Sequence, residues 1–269
     1  MGKFDGVLLA SDFDDTLYDT QGRVCSRNVQ ALEYFMAQGG RFAVATGRAH
    51  RTFSPYAHLV PMNAPAVLSN GSVLYDVQQQ TMVLQTFLPQ SAREDFAVLC
   101  EQFPDVGFEA YHGEEIYAYR PNAVTDAHME KVGTTYTRVN SIEEIPLPWT
   151  KAIIQQVHER LQPVQPWFLE RFGEGYEAIF SNQVYLEITA KGSNKGGMVL
   201  ELAERLGIQP QHVYCVGDNQ NDIPMLAVSA IPFAPANCAQ SVKEWGARVL
   251  CHCDDGVIGD VVDILDTIY

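Results

Sequence analysis

Three polar clusters follow apolar runs that have the composition of buried strands. The clusters are residues 12–16 (DFDDT), 46–48 (TGR) and 217–222 (GDNQND), and the runs before them are 6–11, 42–45 and 213–216. In an open parallel sheet, ligands bind in the crevice beyond the carboxyl ends of the strands. If the three runs are strands of one sheet, the clusters meet at a single site.

The acidic residues of these clusters need a partner of opposite charge. The carboxylates are those of Asp12, Asp14, Asp218 and Asp222. At one site they would repel each other strongly unless some were protonated or a cation bridged them. Oxygen ligands without a nearby His or Cys favour Mg²⁺, an ion that commonly works beside a substrate phosphate. The clusters therefore predict a magnesium site.

Donors for an anionic substrate accompany the carboxylates. Thr46 supplies a hydroxyl, the amide of Gly47 can cradle a phosphate, and Lys195 brings a positive charge at the start of a predicted helix. Carboxylates, one divalent ion, one lysine and one hydroxyl are the parts of a phosphoryl-transfer site. The residue types point to chemistry at phosphorus.

The elements that must position these residues form two halves of a predicted α/β core. Near the N-terminus, the strand at 6–11, a helix from Ser26 that stops at Gly39-Gly40, and the strand at 42–45 make a βαβ unit. The same pattern returns near the C-terminus, with helices at 197–206, 222–228 and 257–268 and strands at 213–216 and 231–233. The predicted fold class is α/β, with a doubly wound, Rossmann-like parallel-sheet core.

The middle of the chain has a different pattern. Apolar and polar side chains alternate over 184–188, which is typical of an antiparallel strand with one covered face. The stretch 91–103 places its apolar residues on one face of a helix. We expect an inserted α+β cap domain at 81–190, between core segments 1–80 and 191–269.

Four motifs in order identify a resemblance. DFDDT at 12–16, VATGR at 44–48, GSNKGG at 192–197 and GDNQND at 217–222 resemble the motifs of the haloacid dehalogenase (HAD) superfamily. The size of the insertion, together with Ser69-Asn70-Gly71, is similar to the Cof-type sugar-phosphate phosphatases with a large α/β cap. The resemblance covers essentially the whole chain. One departure is Asp15, where this group more often has Gly.

The resemblance implies roles for the residues of the first and last motifs. Asp12 would be the nucleophile that attacks phosphorus and becomes an aspartyl-phosphate. Asp14 would be the general acid that protonates the leaving oxygen and then the base that activates water. Mg²⁺ would be held by the carboxylates of Asp12 and Asp218 and by the backbone carbonyl of Asp14. The implied activity is hydrolysis of phosphate monoesters of small metabolites, with sugar phosphates favoured.

The resemblance also implies which residues hold the transferring phosphoryl group. The oxygens of that group would be bound by Thr46, Gly47, Lys195 and Asn221. Asp222 would support the site by orienting Lys195 or a metal-bound water. The substrate would be a small phosphorylated metabolite, and the oligomeric state does not follow from the motifs.

Some residues near the motifs have plainer interpretations. Arg48 and Arg51 fit exposed arginines at the start of a helix better than ligands of a substrate anion. Lys191 competes with Lys195 for the lysine role, and only the GSNKGG context favours Lys195. The cap aromatics are interpreted as core or rim packing, and they are Tyr117, Tyr119, Trp149 and Trp167.

Other metal sites are disfavoured. Cys251-His252-Cys253 does not have the ligand spacing of a zinc finger. The 217–222 loop lacks the repeated acidic ladder and the distal Glu of an EF-hand. Without CxxC spacing, the six cysteines are expected to be reduced thiols.

Composition limits the partners. The chain has 269 residues, of which 46% are hydrophobic and 19% charged, and its net charge of −15 gives a pI near 4.8. A nucleic-acid partner is disfavoured because no dense basic run is present to neutralise phosphates. The apolar run before Asp12 is too short for a signal sequence or a membrane helix, so we expect no membrane partner and a cytoplasmic protein.

Two alternative functions stay open at this point. A phosphotransferase or phosphomutase would use the same core and pass the phosphoryl group from Asp12 to a sugar hydroxyl. A non-catalytic binding protein is the other alternative, although no motif position is lost.

Overall fold

Short apolar runs form the central strands, because both faces of each strand are covered. The computed structural model describes residues 2–269. In chain order the strands are β1 (Leu8–Ser11), β2 (Arg41–Val44), β3 (Ala66–Leu68), β4 (Val73–Asp76), β5 (Thr81–Gln85), β6 (Gly107–His112), β7 (Glu115–Tyr119), β8 (Thr137–Val139), β9 (Lys151–Gln155), β10 (Tyr176–Asn182), β11 (Tyr185–Ala190), β12 (Val213–Val216), β13 (Pro232–Ala234) and β14 (Arg248–Val249).

The helices lie between these strands. They are α1 (Ser26–Ala37), α2 (His50–Phe53), α3 (Ala92–Gln102), α4 (Ala123–Val132), α5 (His158–Leu161), α6 (Val164–Phe172), α7 (Lys195–Arg205), α8 (Ile223–Ala227), α9 (Gln240–Trp245) and α10 (Val257–Ile268).

A parallel five-stranded sheet forms the core, in the order β14-β13-β12-β1-β2. Alternate residues of β1 face opposite layers. Leu9 packs with residues of α1 and α10, whereas Leu8 packs with residues of α7 and α8. Helices on both faces explain why the strands are continuously apolar. The predicted doubly wound α/β core is confirmed.

A small antiparallel sheet, β3-β4-β5, adjoins the core sheet through a bridge between Ala45 and Val67. The predicted cap boundary at residue 81 falls at the start of β5, and β5 pairs with β4. Thr86 still donates its amide to Ser72 O at 2.8 Å, whereas Leu88 donates to Trp149 O at 2.8 Å. The chain therefore changes partners at Phe87.

The inserted segment forms a six-stranded sheet in the order β10-β11-β9-β6-β7-β8. One face packs under α3 and α6, with Phe96, Phe168 and the fully buried Trp149 in its core. Tyr117, Tyr119 and Trp167 pack partly buried against this core, as their interpretation as packing residues predicts. Leu186 and Ile188 of β11 join the core, and Glu187 between them is on the opposite, more polar face.

Within residues 2–269, no helix is long and apolar enough to span a bilayer. The cytoplasmic location and the lack of a nucleic-acid partner stay predictions.

Candidate active site

The loop after β1 brings Asp12 to the end of the neighbouring strand. The Asp12 amide donates to Val216 O at 2.9 Å, which ties this loop to the end of β12. The residue is buried. The predicted meeting of the 12–16 and 217–222 clusters at one edge of the sheet is thus what the structure has.

Lys195 lies in the centre of the site. It is fully buried at the start of α7, and its Nζ donates to Asp12 Oδ1 at 2.5 Å and to Asp222 Oδ1 at 2.6 Å. Asn194 caps this helix by accepting from the Gly197 amide at 2.9 Å. The competing Lys191 has a side chain that is 56% exposed and pairs with Glu177 at 3.5 Å. The structure therefore places Lys195 at the carboxylates and Lys191 outside them.

Three carboxylates meet beside Lys195. Oxygens of Asp12, Asp218 and Asp222 lie within 4.8 Å of one another. Asp222 is fully engaged, because its Oδ1 accepts from Lys195 and its Oδ2 accepts from the amides of Asp218 at 2.9 Å and Asn219 at 3.0 Å. Asp12 and Asp218 accept fewer hydrogen bonds than Asp222 does. Their remaining lone pairs are available to a cation.

Charge repulsion at this place is incompletely balanced. Burial raises the pKa of Asp12 to about 7, with Asp222 and Asp14 adding to the shift and Lys195 opposing it. Burial, then the charges of Asp12 and Asp222, raise the pKa of Asp218 well above its ordinary value. Burial alone would lower the pKa of Lys195, but the two aspartates raise it above its usual range. One lysine does not neutralise three carboxylates, and oxygen ligands of this kind fit Mg²⁺.

Asp14 points its carboxylate to an arginine. Arg48 Nε donates to Asp14 Oδ2 at 2.8 Å and Nη2 donates to Oδ1 at 2.7 Å. The arginine side chain is only 8% exposed, and its guanidinium lies 4.5 Å from the ring centroid of Tyr56. The prediction that Arg48 is an exposed arginine was wrong, because Asp14 and the aromatic ring enclose it. Its position in the loop after β2, two residues beyond Thr46, was the available signal.

Hydrogen-bond donors for an anion lie beside the carboxylates. Thr46 is buried, and its Oγ1 accepts from the Arg48 amide at 3.1 Å. Asn221 Nδ2 donates to Asn70 Oδ1 at 3.0 Å. Asn70 Nδ2 is buried and has no hydrogen-bond partner within residues 2–269. Such a donor is costly to bury unpaired, so it fits an oxygen of a bound anion.

Sequence reasoning did not assign Asn70 to the site. Ser69-Asn70-Gly71 was used only as part of the resemblance to the Cof-type phosphatases, and Asn70 adopts a left-handed conformation with φ of 53°. Asn tolerates this conformation better than most residues. The Asn-Gly pair directly after β3, another core-side strand, was the signal that could have placed it.

A cleft of about 150 Å³ lies between these residues and the polar face of the inserted sheet. Its inserted-domain wall includes Tyr111, His128, Lys151, Tyr185 and Glu187. The volume is below the roughly 300 to 1,000 Å³ of sites for drug-sized ligands. The cleft therefore suits a small molecule.

A second group of metal-ligating types occurs at His252, Cys253 and Asp254. Asp254 is already engaged, because the amide and hydroxyl of Thr20 both donate to it at 2.9 Å. Cys251 is not part of the group. The prediction that residues 251–253 do not bind a metal stays a prediction.

The comparison with protein families decides which family the chain represents. The family model for haloacid dehalogenase-like hydrolases matches residues 9–261. The chain belongs to this family. The predicted HAD, Cof-type identification is confirmed.

Named relatives agree with the enzyme class. Pyridoxal phosphate phosphatase YbhA of Escherichia coli is 23% identical and covers 88% of this chain and 90% of its own length. The 5-amino-6-(5-phospho-D-ribitylamino)uracil phosphatase YwtE of Bacillus subtilis is also 23% identical, with coverages of 96% and 97%. The solved HAD subclass IIB sugar phosphatase BT4131 superposes with a TM-score of 0.81 at 22% identity, covering 97% and 99%. The predicted enzyme class, a HAD-type phosphatase, is confirmed.

Proposed function

We propose that this HAD hydrolase is a Mg²⁺-dependent phosphatase of small phosphate monoesters, sugar phosphates among them, that works through an aspartyl-phosphate. The observation that carries the proposal is the buried Lys195 between Asp12 and Asp222, with Asp218 beside them. This arrangement holds one carboxylate ready for attack and leaves a second available for a cation.

The nucleophile in this proposal is Asp12. Its Oδ1 is fixed by Lys195, so the carboxylate is oriented before the substrate arrives. A carboxylate oxygen attacks phosphorus, the bond from phosphorus to the leaving oxygen breaks, and an aspartyl-phosphate forms. Mg²⁺, held by the carboxylates of Asp12 and Asp218 and the carbonyl of Asp14, would supply positive charge against the phosphoryl oxygens.

The phosphoryl oxygens would be held by Thr46, Gly47, Lys195 and Asn221. The Thr46 hydroxyl oxygen already accepts from the Arg48 amide, so its own hydrogen is free to donate to the substrate. The unpaired Asn70 Nδ2 adds a further donor. Preorganised donors of this kind stabilise charge in the transition state.

Asp14 is proposed as the general acid and base. It would give a proton to the leaving oxygen and later take one from the attacking water. Because Arg48 holds both of its oxygens, a protonated Asp14 has to give up at least one of those bonds. Arg48 is therefore tied to the proton transfer, although it does not touch phosphorus in this proposal.

The substrate class is supported by the cleft and by the relatives. The cleft suits a small leaving group. YbhA and YwtE are named for small phosphorylated metabolites, and BT4131 for sugar phosphates. We extend this class, but no individual substrate, to the present enzyme.

The test is release of inorganic phosphate from p-nitrophenyl phosphate and from a panel of sugar phosphates, with Mg²⁺ and with EDTA. The comparison is between the wild type and Asp12→Asn, which is nearly isosteric. We expect turnover that EDTA abolishes and at least a thousandfold loss in kcat for the variant, of the order found when a nucleophile is removed. Circular dichroism checks that the variant is folded. Equal turnover by both proteins would refute the proposal, and sugar bisphosphate products would indicate a phosphotransferase.

A further inference from the structure

A lysine of the inserted domain reaches the phosphate-binding loop of the core. Lys151 begins β9, and its Nζ donates to the backbone oxygen of Gly47 at 2.9 Å. The same Nζ donates to Glu187 Oε2 at 2.8 Å and lies 4.7 Å from the ring centroid of Tyr111. The lysine side chain is 3% exposed and the glutamate side chain 9%. An ammonium group buried to this degree has to be fully paired.

Only one of these contacts crosses between the two parts of the molecule. Lys151, Glu187 and Tyr111 all belong to the six-stranded sheet, so the ion pair stays with the inserted domain wherever that domain moves. The bond to Gly47 would be broken by any opening of the cleft. The bond between Lys151 and Gly47 therefore forms only when the inserted domain is closed on the core.

The Gly47 carbonyl is connected to the substrate donors through one rigid unit. The peptide group between residues 47 and 48 is planar, so fixing its oxygen also fixes its N–H. That N–H belongs to Arg48 and donates to Thr46 Oγ1 at 3.1 Å. The peptide group that Lys151 contacts is thus the same one that donates to the Thr46 hydroxyl oxygen.

Gly47 lies close to the Lys151–Glu187 ion pair, where the absence of a Cβ leaves room for the side chains around it. A Cβ at Gly47 would lie 3.3 Å from Glu187 Oε1 and 3.2 Å from Asn70 Nδ2, closer than ordinary contact distances. A larger residue at this position would require the side chains of Glu187 and Asn70 to shift by a few tenths of an ångström.

A second contact reaches the same segment. Glu114, in the turn between β6 and β7, accepts from the Arg51 amide at 2.9 Å and lies 3.5 Å from His50 Nδ1. This contact is exposed to solvent, so it is weaker than the buried one. Both contacts fall within residues 47–51, the segment that follows the Thr46 hydroxyl.

We propose that Lys151 is a positioning residue that couples closure of the inserted domain to the phosphate-binding loop, through the Gly47 carbonyl. This inference rests on the proposed phosphatase function. The substrate donors at Thr46 and Gly47 are aligned only while Lys151 is hydrogen-bonded to the Gly47 carbonyl. A phosphate ester is therefore attacked in the closed cleft and poorly in the open one.

The test separates positioning from simple stabilisation of the fold by using Lys151→Met, Glu187→Gln and the double variant. Lys151→Met leaves Glu187 buried without a partner and should lower Tm strongly. The double variant removes that unpaired charge, so its Tm should return most of the way to wild type. Its kcat/KM should stay about tenfold to a hundredfold low, mainly through kcat, because Gly47 O still lacks its donor. Lys191→Met removes an exposed lysine of a Lys–Glu pair away from the cleft and should match the wild type.

Hydrogen exchange of the amides at residues 46–51 gives a readout that needs no turnover. Exchange should be faster than wild type in Lys151→Met and in the double variant, and unchanged in Lys191→Met. Recovery of kcat/KM together with Tm in the double variant, or unchanged exchange at residues 46–51, would overturn the proposal. If the wild type has no phosphatase activity, the proposed function fails, and the exchange data alone still decide whether Lys151 controls the loop.

Discussion

At the scale of single residues, two aspartates separated by one residue have different surroundings. Asp12 is buried against Lys195, whereas Asp14 is turned to Arg48. Different partners give neighbouring carboxylates different tasks. Arg48 holds Asp14 by two parallel bonds, so the position of the proposed acid and base depends on the shape of the guanidinium as well as on its charge.

Replacing Arg48 with Lys tests this dependence. Lysine keeps the positive charge but cannot form two parallel bonds or stack on Tyr56 in the same way. We expect kcat to fall about tenfold while KM changes less, because bound substrate keeps its phosphate donors. Steady-state kinetics measure both values. Arg51→Lys, at an exposed position of α2, is the control and should be close to wild type, and an equal loss in both variants would contradict the role of Arg48.

The raised pKa values of the carboxylates make the stability of the metal-free protein depend on pH. Burial raises the pKa of Asp12 from its ordinary value of 3.8 to about 7 in the folded chain. Between about pH 4 and 7 the folded state therefore binds more protons than the unfolded state, and stability falls as pH rises through this range. Without metal, we expect Tm to be several degrees higher at pH 5.5 than at pH 8.

Added Mg²⁺ should reverse that dependence. The cation replaces protons on the carboxylates, so it should raise Tm more at pH 8 than at pH 5.5. Thermal unfolding with Mg²⁺ and with EDTA measures this. Asp12→Asn should show a flatter pH dependence and a smaller response to Mg²⁺. A metal-free protein that gains stability between pH 5.5 and 8 would rule out this account of the site.

How far the sequence predicts the site depends on the kind of contact. Asp12, Asp218 and Lys195 could be predicted because each belongs to a motif at a strand or helix end. The position of Arg48 two residues beyond Thr46 indicated that it is near the site, but its burial could not be predicted, because it depends on Tyr56 packing over it. Lys151, in the wall of the cleft, could not be predicted from the sequence, because only the folded structure shows that its side chain contacts Gly47.

At the scale of elements, close packing of helices fixes where Lys195 lies. Gly196 follows Lys195 in α7, and a Cβ there would lie 2.1 Å from the backbone oxygen of Pro224 in α8. The glycine thus lets α7 lie directly against the helix that follows Asp222. This close approach gives the GSNKGG motif a packing reason in addition to its lysine.

The buried face of a strand could be predicted from the sequence where the two faces differ in burial. The alternation over 184–188 correctly separated Leu186 and Ile188 from Glu187, because one face of β11 is a core and the other a cleft. β5 carries no such signal. Its residues Thr81, Met82 and Val83 are exposed at a sheet edge, so their sequence does not tell which sheet they join.

At the scale of the whole molecule, the two connections to the inserted domain run side by side. Ser193 Oγ donates to Thr86 Oγ1 at 2.8 Å, which links the segment before the insertion to the segment after it. Neighbouring connections let an inserted domain rotate about one narrow region while its own core stays intact. In our proposal, the Lys151 contact couples this movement to the phosphate-binding loop.

The domain limits follow from the same geometry. Because β5 pairs with β4 and the chain changes partners at Phe87, we propose that the inserted domain is 87–190, in place of the 81–190 predicted from sequence. Its aromatic core around Phe96, Trp149 and Phe168 is separate from the core of the parallel sheet. A fragment of residues 87–190 should therefore fold alone, and one of residues 81–190 should have the same urea midpoint. Intrinsic Trp fluorescence follows the unfolding of both. A higher midpoint for the longer fragment would show that β5 belongs to the inserted domain after all.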